Sequence, residues 1–436
     1  MDARHSRTRQ NVATALGVVG ALLAATTACS SAGSDSSDGF TYWSMWKQGE
    51  PQQKVLAAAV ADFEKETGIE VDVQWQGRNN LQKLVPTLNT GNVPDLVDGS
   101  YVKLVPALVA TEQSRGLREA FDADVEGMPA VSRIPSRYLA AGDIDDSSGQ
   151  PWMMPYSLTS DAVWYDAASH PEIRKNPPRT WDEFVAVLDG LKREGETPLA
   201  ADGDVTGYNA AYLSTLIVRE LGPGALKKIA EDRTGKAWQQ PEVVDAARKV
   251  EQLVRGDYFI KGYRASKWPA QQQKWADRKA ALMFMGSWLP TESATYAADG
   301  FEYASFPFPA TGSGDTSMRA DFVGFAVPKK ADGAENAMKF AAFLLGKKYQ
   351  DAFGEEAKVI PIRADAAISP ELAGVKKSLD SSASFHQQND GVAFPGYNEK
   401  VFWAKNDDLF LGKVSARQFV DSMTAAQAAY WKDQAQ

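Results

Sequence analysis

Apolar and polar positions change period several times along this chain, and each change marks an element. Phe40 to Trp46, FTYWSMW, reads as a strand. In the following stretch QQKVLAAAVADFEKETG, Val55, Leu56, Ala59, Val60 and Phe63 recur at helical spacing until Gly68. IEVDVQW then alternates as a strand does, and NNLQKLVPTLNTG is helical up to Pro86 or Gly91. PDLVDGSY is another short strand, so the opening is β-α-β-α-β, the pattern of a sheet with helices on its faces.

Further along, GQPWMMPYSLTSDAVWYD is strand-like and rich in Trp and Tyr. The stretch PPRTWDEFVAVLDGLKREG predicts a helix with Thr180 as N-cap and Glu183 closing a capping box. Its apolar face is Trp181, Phe184, Val185, Leu188 and Leu191, and Gly195 ends it. Helical stretches continue to about Arg255. ALMFMGSW is read as a buried strand, FPFPATGSGD as a loop, DFVGFAVP as a strand and GAENAMKFAAFLLGKK as a helix. A last helix starts at Ser415, with Gln418 in its capping box, and runs to about Lys432.

The first residues follow a different logic. Arg4, Arg7 and Arg9 precede an apolar run from Val12 to Ala25, and the small residues ATTA come next. That is the order of a secretory leader; the alternative, a short membrane anchor, has too few residues to span comfortably. Cys29 is the single cysteine, so no intrachain disulfide can form. Residues 30–39 are a Ser/Gly/Asp tether with nothing to bury.

The 436 residues suit two domains, perhaps three, of ordinary globular composition. The net charge of -9 becomes about -11 once residues 1–28, which carry a net +2, are removed. This balance argues against nucleic acid or an anionic membrane as the main partner.

Signatures of catalysis are scarce. No G-x-S-x-G, P-loop or G-x-G-x-x-G occurs, and the three His, at 5, 170 and 386, do not suggest a metal site. The acidic DIDDSSG, Asp143 to Gly149, lacks the Gly and Glu of a calcium loop and reads as a solvated turn. Neither a metal nor a cofactor is expected. What the chain has is Trp: 12 in all, several at strand ends, where ligands of α/β sheets bind. A sugar ring suits such a surface, with one apolar face for stacking and a rim of hydroxyls for polar side chains. Most of these Trp are expected in the core, and about three to five to face a ligand.

Four stretches, in this order and spacing, carry a resemblance: FTYWSMW…VADFEKETGIEVDV, GNVPDLVDGSY, NPPRTWDEFVAVLDGLK after MPYSLTSDAVWYD, and WADRKAALMFMGSW. FVGFAVPKKADGAENAMKFAAFLL and VIPIRADA extend it over most of residues 40–436. The chain resembles the extracellular solute-binding proteins of carbohydrate ABC importers, the maltose-binding-protein-like group. Cys29 is similarly placed to the lipidated cysteine of bacterial lipoproteins, although Thr26 stands where that motif usually has Leu.

The resemblance implies a periplasmic-binding-protein-like α/β fold. Its two lobes, each a mixed sheet flanked by helices, would close as a hinge over a ligand cleft. It implies lobes of residues 40–156 with 304–357 and 157–303 with 358–436. Crossings are expected near 155–161, 305–309 and 358–363. It implies a monomer that hands an oligosaccharide to membrane permease subunits, without catalysis, lipid-anchored outside the cytoplasmic membrane. A non-sugar solute, a secreted glycosidase and a sensory or adhesive role are the alternatives.

Site residues implied by the resemblance begin with Trp46 and Glu50 after the first strand, then Asp98, Ser100 and Tyr101. Thr159 and Asp161 lie on the first crossing, and Asn209 and Tyr212 in GYNAAYL match polar and aromatic contacts. Gly286 and Ser287 lead to Trp288, which aligns with a ring-stacking Trp. Arg363 and Trp403 complete the set. Asp98 is equally readable as a turn residue, Arg363 as a salt-bridge partner and Trp403 as a core side chain.

Overall fold

The computed structural model describes residues 39–142 and 144–435. The expected leader, Cys29 and nearly all of the tether lie outside the described residues, as does Asp143. Ten strands build two sheets: β1 (Gly39–Ser44), β2 (Glu70–Trp75), β3 (Leu96–Ser100), β4 (Met154–Thr159), β5 (Asp161–Asp166), β6 (Leu199–Ala200), β7 (Leu282–Gly286), β8 (Tyr303–Phe306), β9 (Asp321–Ala326) and β10 (Ile360–Pro361). The larger sheet has the order β10-β4-β9-β3-β1-β2 and the smaller β8-β5-β7-β6. Parallel pairs (β1 with β2 and β3) and antiparallel pairs (β9 with β3 and β4) coexist, so the larger sheet is mixed.

The chain leaves the larger sheet at Thr159 and enters the smaller at Asp161, with Ser160 alone between them. It returns between β8 and β9, so the expected boundary at 303/304 falls inside β8. Beyond β10 the chain adds helices to the smaller sheet's side; the helix Ala373–Ser381 lies against β8.

Helices cover the sheets through the faces read from sequence. α1 (Pro51–Thr67) buries Val55, Leu56, Ala59, Val60 and Phe63, and Gly68 stops it in a left-handed conformation, φ 74°, that costs glycine little. α2 (Trp181–Arg193) carries the Thr180–Glu183 capping box. α3 (Thr206–Leu221), α4 (Ala270–Ala276) and α5 (Leu289–Ser293) belong to the smaller sheet's side. α6 (Ala334–Phe343) packs on β1 and α1. α7 (Trp403–Phe410) and α8 (Ala416–Gln434) pack with each other, and α7 lies on α3. The Ser415–Gln418 capping box opens α8.

Each sheet has its own aromatic core. In the larger, Phe40, Tyr42, Phe63, Phe325 and Phe340 meet with ring centres 5.4–6.2 Å apart. In the smaller, Phe284, Phe308 and Tyr212 interlock at 4.6–6.3 Å. Two cores joined by single-residue or loop crossings are the form a chain takes when two bodies meet at a hinge.

Candidate functional site

The expected residues gather at the ends of β1, β3 and β7 and at the crossing from β4 to β5. On the larger sheet's side, β1 ends at Ser44 and leads into Met45 and Trp46. The Trp46 indole N–H donates to the Tyr156 hydroxyl at 2.9 Å, and the ring is only 8% exposed. The guanidinium of Arg78 lies over that ring, 4.4 Å from its centre, in cation–π geometry. Arg78 also forks onto Glu50 at 3.0 and 3.1 Å and donates to the Met45 carbonyl at 2.6 Å. This face of Trp46 is therefore covered, and the surface left on this wall is the Arg78–Glu50 pair.

Asp98 is fully buried in β3. Its carboxylate accepts from the Tyr42 and Tyr156 hydroxyls at 2.8 and 2.9 Å, from the Ser44 hydroxyl at 3.2 Å, and from the Met45 amide. Burial pushes its carboxyl up to about 6, against the pull of these donors. The structure thus corrects the expectation of a ligand carboxylate: Asp98 fixes the floor under Trp46. Ser100, half-buried, ends β3, and Tyr101 is buried against Trp152, ring centres 5.6 Å apart.

On the smaller sheet's side, β7 runs antiparallel to β5 with Gly286 opposite Asp161. Ser287 ties the end of β7 to the crossing: its amide donates to the Ser160 carbonyl at 2.7 Å, and the Ser160 amide to its hydroxyl at 3.3 Å. A Cβ on Gly286 would stand 2.2 Å from the Trp288 ring, so Gly286 exists to let the indole fold back over its own strand end. Tyr208, in the first turn of α3, flanks Trp288 with ring centres 5.9 Å apart and planes at 31°. Glu292, one turn further in α5, donates its amide to the Trp288 carbonyl at 3.1 Å and accepts from the Gln272 amide group at 3.1 Å.

The two walls sense each other. Glu292 is exposed on one side, but the protein packed around its carboxyl raises it above the usual range; the Gln272 hydrogen bond and the positive charge of Arg78 oppose this, while Glu50 and Asp202 add to it. Arg78 and Glu50 belong to the larger sheet's side and Glu292 to the smaller's, so the two sides come close enough here for their charges to act on one another. Beneath Trp288, the Arg319 guanidinium lies 5.8 Å from its ring centre. Arg319 pairs with Asp161 at 2.7 Å and with Asp321. Thr159, half-buried, is the strand partner of Asp321.

Other expected residues lie elsewhere. Tyr212 is walled in by Phe259, Phe284, Phe308 and Phe410 and is core, not surface. Arg363 is 2% exposed and spends its guanidinium on Asp365, Glu126 and the Leu345 carbonyl, so it is a structural lock. Asn209 is buried, with its amide nitrogen on the Gly203 carbonyl and Asp407 at 3.0 and 2.8 Å; it braces the loop before α3. Trp403 is half-buried, donates to Asn389 at 3.3 Å, and its ring edge lies 3.7 Å from where a Cβ on Gly207 would be. It therefore sits beside the Tyr208 turn.

Sequence reasoning missed Arg78, Tyr208, Glu292 and Arg319. Tyr208 adjoins the Asn209 that was singled out, and Glu292 follows Trp288 by one helical turn; both signals were present. A cavity of about 440 Å³ lined by His170, Glu196, Arg278 and Phe301 includes Asp166, the far end of β5 from Asp161. Six residues of strand, about 17–20 Å, separate it from the Trp288 wall, so it is a different place.

With this geometry in hand, the model of the bacterial extracellular solute-binding proteins matches residues 58–378, and the chain belongs to that family. It is 24% identical over 226 residues to the diacetylchitobiose binding protein NgcE of Streptomyces coelicolor, 52% of this chain and 48% of that protein. The chain thus spans about half the length of that relative. It is 22% identical over 371 residues to the multiple sugar-binding protein of Streptococcus mutans, 80% of this chain and 83% of that protein. Among solved structures, the binding protein msme of Bacillus subtilis in an open conformation superimposes with TM-score 0.75 at 16% identity, covering 91% of this chain and 98% of that one. RafE in complex with raffinose gives TM-score 0.72 at 16% identity, covering 90% and 99%. The fold is that of two-lobed solute-binding proteins, and the family is one of binding proteins outside the cytoplasm. Among the described residues no helix is long and apolar enough to cross a membrane.

Proposed function

We propose that this protein is the solute receptor of an ABC importer and captures a sugar of two or more rings in the cleft between its two sheets. The observation that carries this reading is Trp288 paired with Tyr208 at the end of β7, with Glu292 one helical turn away lying within reach of the charges of the Arg78–Glu50 pair. An aromatic face and a forked polar pair are the two surfaces a pyranose presents partners for. The kinship to proteins named for diacetylchitobiose and multiple sugars supports the ligand class. Stacking adds about 0.5–1.5 kcal/mol per ring beyond buried area, and hydrogen bonds to charged groups about 1.5–3 kcal/mol each. After the cost of ordering, a few of each give micromolar capture, weak enough for release.

In this reading the lobes are residues 39–159 with 321–361 and residues 161–306 with 373–434, following sheet membership. Cys29 carries the lipid anchor, residues 30–38 are the leash, and the closed, loaded monomer presents both lobes to the permease. No turnover is part of the role. A thermal-shift screen against mono-, di- and trisaccharides tests it, because a ligand of the folded state raises its melting temperature by mass action. A rise with at least one sugar, and no product formed, is expected. No rise across the panel, or hydrolysis of any member, contradicts the reading.

A further inference from the structure

Of the 12 Trp in the chain, all within the described residues, one is exposed: Trp268, at 46%. It is not a loose side chain on a loose loop. Its amide donates to Asp204 at 2.9 Å, and the amides of Gln271 and Gln272 donate to Asp202 at 2.9 and 3.1 Å. The Ser266 hydroxyl bonds back to the Tyr263 carbonyl at 2.7 Å and accepts from the Gly203 amide at 3.0 Å. The loop 201–205 and the segment 263–272, which ends in the first turn of α4, are thereby cross-braced into one support.

Both stretches run directly into the aromatic wall. Residues 202–205 lead to Tyr208, which flanks Trp288, and Gln272 binds Glu292, one turn from Trp288. An exposed indole whose own backbone amide is tied to Asp204 offers a flat apolar face, held in place, on which a sugar ring can stack.

We propose that Trp268 is a second platform at the rim of the cleft, stacking on the sugar ring next to the one held at Trp288, so that it sets the preference for chain length. This rests on the sugar-binding reading above. The experiment compares wild type, Trp268→Ala and Trp268→Phe by calorimetric titration. The probes are matched pairs: N-acetylglucosamine with diacetylchitobiose, xylose with xylobiose, glucose with maltose, galactose with melibiose. In wild type at least one disaccharide binds more tightly than its monosaccharide.

Trp268→Ala lowers that disaccharide-to-monosaccharide ratio about tenfold, and Trp268→Phe restores most of it. As a second readout, disaccharide shields tryptophan emission from acrylamide in wild type, and that shielding is reduced in Trp268→Phe. A wild-type preference kept intact in Trp268→Ala overturns the rim platform and leaves the sugar receptor standing. Binding of monosaccharides alone overturns the rim platform and the two-ring part of the reading above, and leaves a monosaccharide receptor. Binding of no sugar by wild type removes both readings together.

Discussion

Trp288 is held by what lies behind it as much as by what faces it. Its indole covers Gly286, is flanked by Tyr208 and rests over Arg319. Trp288→Ala is expected to weaken sugar binding more than about 30-fold, the loss of a stacked ring and its buried area. Because the side chain is half-buried, the cost in urea-induced unfolding stays near 1–2 kcal/mol, below the ~3–5 kcal/mol of a core Trp. Gly286→Ala is the sharper variant: a single methyl pushes the indole off its strand end, so affinity falls although Trp288 itself is unchanged. Equal affinity in Gly286→Ala and wild type would detach Trp288 from the ligand.

The folded Asp98 carboxyl is raised to about 6, whereas an unfolded Asp titrates near 4. The folded state therefore binds this proton more tightly than the unfolded chain does. Its stabilising contribution is complete below pH ~4 and is lost as pH rises to ~6, on the order of 2–3 kcal/mol in all. Urea unfolding of wild type and Asp98→Asn between pH 4 and 6.5 reads this directly: the variant's stability falls less with rising pH. A parallel pair of curves would refute the assignment. Asp390, also raised to about 6 where it caps the helix Ala225–Glu231, contributes a slope of the same sign and remains in both proteins.

The residue scale is also where sequence was least informative. The stretch FTYWSMWKQGE displays Trp46 and Glu50 but not the Arg78 that covers the one and clasps the other from 28 to 32 positions away. Asp98 looked available because the Tyr42, Ser44 and Tyr156 hydroxyls that saturate it come from other strands. Whether a polar side chain in a strand-end loop faces inward or outward is decided by such long-range partners, which no local pattern contains.

Among the elements, those with local instructions were legible. The Thr180–Glu183 and Ser415–Gln418 capping boxes, the apolar face of α1 and its Gly68 stop, and the β-α-β opening all follow from neighbours within a few residues. The helix read over GAENAMKFAAFLLGKK instead ends at Phe343, and a new one starts at Lys347, because Gly346 serves as the N-cap of the second. Strand order in the smaller sheet, assembled from four distant segments, had no local signature.

The crossing between sheets carries its own prediction. Arg319 joins Asp161, the first residue of β5, to Asp321, the first residue of β9, so one buried guanidinium links both sheets beneath Trp288. Both carboxylates are nearly inaccessible, and removing the cation leaves them facing each other without compensation. Arg319→Met is expected to cost about 3–5 kcal/mol in urea unfolding. Asp161→Asn combined with Asp321→Asn in that background should recover part of it. No recovery would mean that Arg319 acts through packing rather than charge.

For the whole molecule, two aromatic cores are joined at Ser160 and by the loop before β9, and the charges of Glu292 and the Arg78–Glu50 pair act on one another between the two sides. Sequence resemblance led to this architecture; the structure added Arg78 against the expected Trp46, and Tyr208 and Arg319 against the expected Trp288. The most direct test is a calorimetric titration of the saccharide panel against wild type and Trp288→Ala side by side. At least one sugar is expected to bind wild type with a micromolar dissociation constant and to bind Trp288→Ala more than about 30-fold more weakly. A panel in which no sugar binds wild type, or in which the two proteins bind alike, would contradict that expectation.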